Sequence, residues 1–142
     1  MDIINILRDK ILNIVSELVE DKNFKQPINI NNIVVERPKR QNQGDFSTNA
    51  AMVVGKALSY NPRDLGEIII NKLIDAEPIN NVSLDGPGFL NITINPKFWD
   101  RLIVEIVTNT YKYGQISFGS GKKVNLEFVS ANPTGPLHLG HV

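Results

Sequence analysis

Two Asn-Pro pairs, Asn61-Pro62 and Asn95-Pro96, each stand directly before an apolar stripe at helical spacing. An Asn side chain accepts a hydrogen bond from the free N–H groups of a helix's first turn. Proline lacks the N–H that would be orphaned there and has its φ already set for the first helical position. The pairs therefore predict two helix starts, one running through Leu65, Ile69 and Leu73, the other through Phe98, Leu102, Ile106 and Thr110 and ending near Asn109. Between them lie VSL at 82–84 and FLNITI at 89–94, joined by Asp85-Gly86-Pro87-Gly88. Two alternating runs flanking such a turn predict an antiparallel hairpin with Leu90, Ile92 and Ile94 on its buried face. That pattern places Phe89, Asn91 and Thr93 on the opposite, exposed face.

Upstream, Ile4, Leu7, Ile11, Val15 and Leu18 recur at helical spacing and predict an amphipathic helix from Asp2 to Glu20. Ile33 to Glu36 reads as a short strand stopped by Pro38. After the Gly44-Asp45 break, Ser47 to Leu58 reads as a helix with Ala50, Val54, Ala57 and Leu58 on one face. The expected fold is thus α+β, a mixed and largely antiparallel sheet with flanking helices, complete within residues 1–110. From Tyr111 to Lys122 neither periodicity holds and three glycines occur, which marks 111–122 as a linker. Beyond it Val124, Leu126 and Phe128 alternate with polar residues as a strand, and the chain runs into SANPTGPLHLGHV.

Length agrees with this division, since 142 residues, 42% of them hydrophobic, make one good core and hardly two. The formal charge is zero, so any affinity for nucleic acid must come from a local patch. Arg37, Lys39 and Arg40, followed by Gln41, Asn42 and Gln43, form the densest positive stretch, equally readable as phosphate contacts or as a solvated loop. Without cysteine there is no disulfide framework, thiol nucleophile or thiolate metal site, and no metal ligand set is assigned. No signal-like or membrane-length apolar run occurs, so a cytoplasmic protein with no membrane partner is expected.

Both histidines, His138 and His141, sit three apart after a Pro-Thr-Gly-Pro loop, with Gly140 between them. At a helix start their imidazoles would share a face with unpaired N–H groups, an arrangement suited to a triphosphate. Taken alone, His-x-Gly-His is as readily two ordinary histidines. Phe89 and Asn91 are open in the same way: an aromatic beside an amide can stack and read an unpaired base, or Phe89 can pack under a helix while Asn91 solvates the sheet.

The longer stretch EFVSANPTGPLHLGH at 127–141, with GDFSTN at 44–49 and GPGFLNI at 86–92, resembles the arginyl-tRNA synthetase family in three separated blocks. That resemblance implies an N-terminal additional domain that binds tRNA, followed by the first strand of a Rossmann-like class I catalytic domain at 123–142. It implies ATP with Mg²⁺ as the full enzyme's requirements, and arginine and tRNA(Arg) as partners. It assigns ATP contacts to Pro133, His138, Gly140 and His141, and arginine contacts to Ser130 and Asn132; Glu127, near the carboxyl end of the strand, suits a cationic substrate or is a solvated edge acid. Phe89 and Asn91 would touch the D-loop at the tRNA elbow; the 142 residues alone would catalyse nothing, and while a monomer is the default expectation the sequence itself gives no oligomeric state. A freestanding RNA-binding module with an incidental His-Leu-Gly-His remains the alternative.

Overall fold

The computed structural model describes residues 2–21, 28–38, 40, 42–117 and 119–141, and of Asp21 and His141 the backbone only. It divides into two compact units, Met1–Asn109 and Thr110–Val142. Among the described residues of the first, four α-helices and four strands follow in the order α1 (Ile3–Asp21), β1 (Val35–Glu36), β2 (Phe46–Thr48), α2 (Ala50–Leu58), α3 (Pro62–Leu73), β3 (Ile79–Asp85), β4 (Phe89–Ile94) and α4 (Pro96–Thr108). All strand pairs are antiparallel and the sheet order is β1-β2-β4-β3.

Both Asn-Pro starts form as the sequence predicts: Asn61 Oδ1 accepts from Arg63 N at 2.9 Å, and Asn95 Oδ1 from Lys97 N at 3.0 Å. Each such cap stabilises its helix by about 1 kcal/mol. The hairpin is also as read, with Asp85 opposite Phe89 and Gly88 N–H closing the turn onto Asp85 O. One face of the sheet, carrying Val35, Phe46, Thr48, Leu90 and Ile92, is buried under Leu7, Ile11 and Val15 of α1, Ala51 and Val54 of α2, and Leu65, Ile69 and Leu73 of α3. Burying a large aliphatic side chain of this kind is worth about 1.5–3 kcal/mol, so this interface supplies the main driving force of the unit.

Three sequence expectations are corrected. Ser47 and Thr48, read as the start of a helix, belong to strand β2 (Phe46–Thr48), and α2 begins only at Ala50. Phe46 and Thr48 are buried while Asp45, just before them, clamps β4: its N–H donates to Ile92 O at 2.9 Å and its Oδ2 accepts from Ile94 N at 2.7 Å. Gly44 makes this approach possible, because a Cβ there would sit 2.8 Å from Ile92 O and its φ is +78°. Asn49, at the α2 start, turns its amide away from the helix, accepting from Val34 N at 2.9 Å and donating to Asn32 O at 3.0 Å. The GDFSTN block is thus a fastener that ties β1, β2 and β4 into one sheet.

The second correction concerns α4, of which only Phe98 is buried; Leu102 is half-buried, whereas Ile106 and Thr110 of the expected stripe are exposed. The third concerns the unit Thr110–Val142, where residues 123–128 form no strand. Alternation specifies which faces a strand would have, but a strand exists only through its ladder, and no described segment pairs with this one. The unit consists of turns and one short 3₁₀ turn, Leu139–His141.

Candidate nucleic-acid interface

Opposite the packed face, the register sets a row of polar side chains across all four strands. Glu36 pairs with Ser47, Ser47 with Asn91, and Asn91 with Ser83, so β1, β2, β4 and β3 each contribute one. Side chains on a strand alternate faces, which is why this row is polar while Thr48, Leu90 and Leu84, one position on, turn to the helices. Such a face needs no apolar cover, and the loop between β1 and β2 lies over part of it.

Gln43 carries that loop across. Its Nε2 donates to Asp85 Oδ2 at 2.7 Å, joining the loop to the hairpin end of β3. The same hairpin end is held from the helix side by the Arg63 guanidinium, which donates to Gly86 O. Gly88 lets the turn sit against α3, since a Cβ there would lie 2.9 Å from Pro62 Cβ.

Between loop and sheet is a cavity of about 300 Å³ lined by Glu36, Pro38, Arg40, Gln43, Ser47, Asp85, Phe89 and Asn91. Phe89 stands at its edge, 39% exposed. Asn91 is only 7% exposed, which corrects the expectation that it lies on an open face: the period-two pattern gave the right face, but the loop covers it. No described residue hydrogen-bonds the Asn91 side-chain amide. No side-chain nitrogen or oxygen among the described residues is both fully buried and unpaired, so the amide meets the open space of the cavity, where a ligand can reach it. Thr93, the third residue of that face, is half-buried.

Of the basic residues, Arg40 is exposed and lines this cavity and two neighbours. Arg37 joins it in one of these, of about 370 Å³, with Asp45, Phe46 and Trp99. Lys39 and Gln41 lie outside the described residues. The structure therefore brings Phe89, Asn91 and Arg40 together and sets Arg37 beside them. Sequence reading missed Ser47 and Ser83, which strand register sets on either side of Asn91, and Glu36 and Asp85, the register partners of Ser47 and Phe89, which line its cavity.

In the other unit Glu127, Ser130, Asn132, Pro133 and Gly140 are all exposed. Gly140 N–H donates to His138 Nδ1 at 3.1 Å, which in the neutral ring leaves the proton on Nε2 and makes that nitrogen a donor. The His141 side chain lies outside the described residues. Among the described residues no group of three or more His, Asp or Glu side chains is placed to hold a metal ion, so no residue here is assigned to Mg²⁺.

Comparison with known proteins gives this arrangement a family. Residues 3–94 match the family described as arginyl tRNA synthetase N terminal domain. The chain is 45% identical over 125 residues to the arginine–tRNA ligase of Rhizobium rhizogenes, covering 88% of this chain and 21% of that protein. To the arginine–tRNA ligase of Jannaschia sp. it is 42% identical over 135 residues, 95% of this chain and 24% of the relative. Rhodopseudomonas palustris has an arginine–tRNA ligase 44% identical over 124 residues, 87% of this chain and 21% of its own length. The sheet and its polar face thus stand in an aminoacyl-tRNA synthetase framework. Within it the chain belongs to the arginyl tRNA synthetase N-terminal domain family, and it spans about a fifth to a quarter of the length of the curated relatives it matches.

Proposed function

We propose that this chain is the tRNA-gripping front part of an arginine–tRNA ligase, and that the unit Met1–Asn109 binds unpaired nucleotides at the elbow of tRNA(Arg). The observation that carries this reading is the Phe89–Asn91 pair: an aromatic face at the edge of a cavity whose floor is an amide with no partner among the described residues. A base stacked on Phe89 would present its edge to Asn91, and Arg40 stands where a phosphate would pass. The cavity is at the small end for ligand sites and suits a single base better than a larger ligand. Stacking is tolerant of base identity while hydrogen bonding to an edge is not, so Phe89 gives affinity and Asn91 discrimination.

The complete enzyme joins the arginine carboxylate to the α-phosphate of ATP with release of pyrophosphate, then passes arginine to tRNA with release of AMP, and Mg²⁺ would offset charge on the ATP phosphates. Glu127, Ser130 and Asn132 are assigned to arginine; Pro133, His138, Gly140 and His141 are assigned to ATP, with His138 Nε2 as a donor toward phosphate oxygen. The short chain alone has no formed sheet around these residues and catalyses nothing. No helix among the described residues is long and apolar enough to cross a membrane.

The test is titration of the purified chain with a tRNA(Arg) transcript. Phe89→Ala weakens binding roughly 5- to 150-fold, the range for loss of one base–aromatic stack. Equal binding of the variant and the parent would remove the hairpin from tRNA recognition.

A further inference from the structure

Asn91 opens onto two cavities, not one. Beside the cavity at Phe89 lies a second of about 350 Å³, lined by Arg40, Asn42, Gln43, Ser83, Leu84, Asp85 and Asn91. The two share Arg40, Gln43, Asp85 and Asn91, and differ in what lies beyond: Glu36, Pro38, Ser47 and Phe89 on one side, Asn42, Ser83 and Leu84 on the other. The bridge from Gln43 to Asp85, 2.7 Å long, belongs to both cavities and marks their common wall. Ser47 and Ser83 are register partners of Asn91 from opposite sides, so two strand spacings, roughly 10 Å, separate their positions.

We propose that this face holds two adjacent unpaired nucleotides, one stacked at Phe89 and a second over β3, against Ser83 and Asn42, with the Asn91 amide serving both. The inference rests on the tRNA reading above and adds a second nucleotide subsite to it. An asparagine side chain has two N–H donors and a carbonyl oxygen with two lone pairs, more than one base edge uses. Here the residue is largely buried, its amide opens onto both cavities with no partner among the described residues, and it is flanked by one hydroxyl on each side. The second subsite has no aromatic residue. Its nucleotide is held by hydrogen bonds from Ser83, Asn42 and Asn91 and by the Arg40 charge, so it contributes less affinity and more discrimination than the first.

The experiment crosses protein variants with RNA lesions. Asn42→Ala and Ser83→Phe are made in the 142-residue chain, both at exposed positions, the first deleting an amide and the second filling the cavity. Each is titrated, beside Phe89→Ala, against a tRNA(Arg) transcript and against a series with single abasic sites through the D-loop. Asn42→Ala is expected to weaken binding of the intact transcript roughly 2- to 13-fold, the loss of one neutral hydrogen bond. On the abasic series the Phe89→Ala loss vanishes at one position and the Asn42→Ala and Ser83→Phe losses vanish at the adjacent one, the non-additivity that marks direct contact. Losses that all vanish at the same position, or an Asn42→Ala chain that binds like the parent, overturn the second subsite and leave the first standing. A Phe89→Ala chain that binds every RNA like the parent sinks the underlying reading and this inference with it. Thermal melts accompany each variant, and if Ser83→Phe does not fold, Asn42→Ala in its surface loop decides.

Discussion

Gln43 and Asp85, 42 residues apart in the chain, meet through a 2.7 Å hydrogen bond that lays the β1–β2 loop over the polar face of the sheet. The bond is exposed, and exposed pairs of this kind contribute about 0–1 kcal/mol to global stability. Its effect is local: it holds the wall shared by two cavities and keeps Asn91 covered. Gln43→Ala is expected to leave the melting transition nearly unchanged while amide exchange in residues 42–45 speeds up and tRNA binding weakens. Exchange in that loop as slow as in the parent chain would show that other contacts hold it.

Asp45 gives the opposite expectation, because its carboxylate accepts from the part-buried Ile94 N–H and stands in for a ladder bond between β2 and β4. Removing the acceptor strands that donor. Asp45→Ala should cost about 1–3 kcal/mol in urea unfolding. Asp45→Asn keeps an oxygen in place and should cost less. Equal losses for the two variants would mean that charge, not the hydrogen bond, is what matters at this position.

The contrast between these residues explains which parts of the fold are legible in sequence. Helix starts at Asn61-Pro62 and Asn95-Pro96 and the hairpin around Gly86-Pro87-Gly88 are local devices, in which the residues that cause the structure adjoin it. Strand β2 is three residues long, too short to show a period, and exists because β1 and β4 bracket it. Its partners are 11 or more residues away, so nothing in Phe46-Ser47-Thr48 alone distinguishes it from the helix that follows. The site divides in the same way: alternation put Phe89 and Asn91 on one face, but only the loop closed by Gln43 decides that one is at the edge and the other beneath. Strand 124–128 is the converse case, a clear local pattern with no ladder to realise it.

Helix α4 offers a test of how far the core extends. Val104 and Val107 are 64% and 69% exposed, whereas Phe98 near the helix start is buried. Val104→Lys and Val107→Lys should therefore change the stability of this chain by no more than about 0.5 kcal/mol, the usual range for surface substitutions. Phe98→Ala should cost about 3–5 kcal/mol, since it removes an aromatic ring from the packed core. Chemical denaturation of the three variants checks both, and a large loss from either lysine would show that the second half of α4 is packed in solution.

Asn91 is where stability and function should part company. Its backbone is a ladder member between β2 and β3, so the strand does not depend on the side chain. The residue is 7% exposed, lines two cavities, and has no hydrogen-bond partner for its side chain among the described residues, so its amide fastens no other part of the fold. Asn91→Leu replaces that amide by an apolar group of similar branching, and Leu suits a covered strand position. The variant should melt at the same temperature as the parent chain or higher, and it should lose tRNA affinity because the floor of the cavity no longer donates or accepts. Asn91→Ala should bind about as poorly. It should also be no more stable than the parent, because it removes packing volume along with the amide. A structural amide predicts the reverse pattern, with Asn91→Leu destabilised and RNA binding reduced only in proportion to the unfolded fraction. Melting curves and tRNA titrations of the same preparations separate the two, and a marked drop in the Asn91→Leu melting temperature with full affinity at low temperature would end the assignment of Asn91 to recognition.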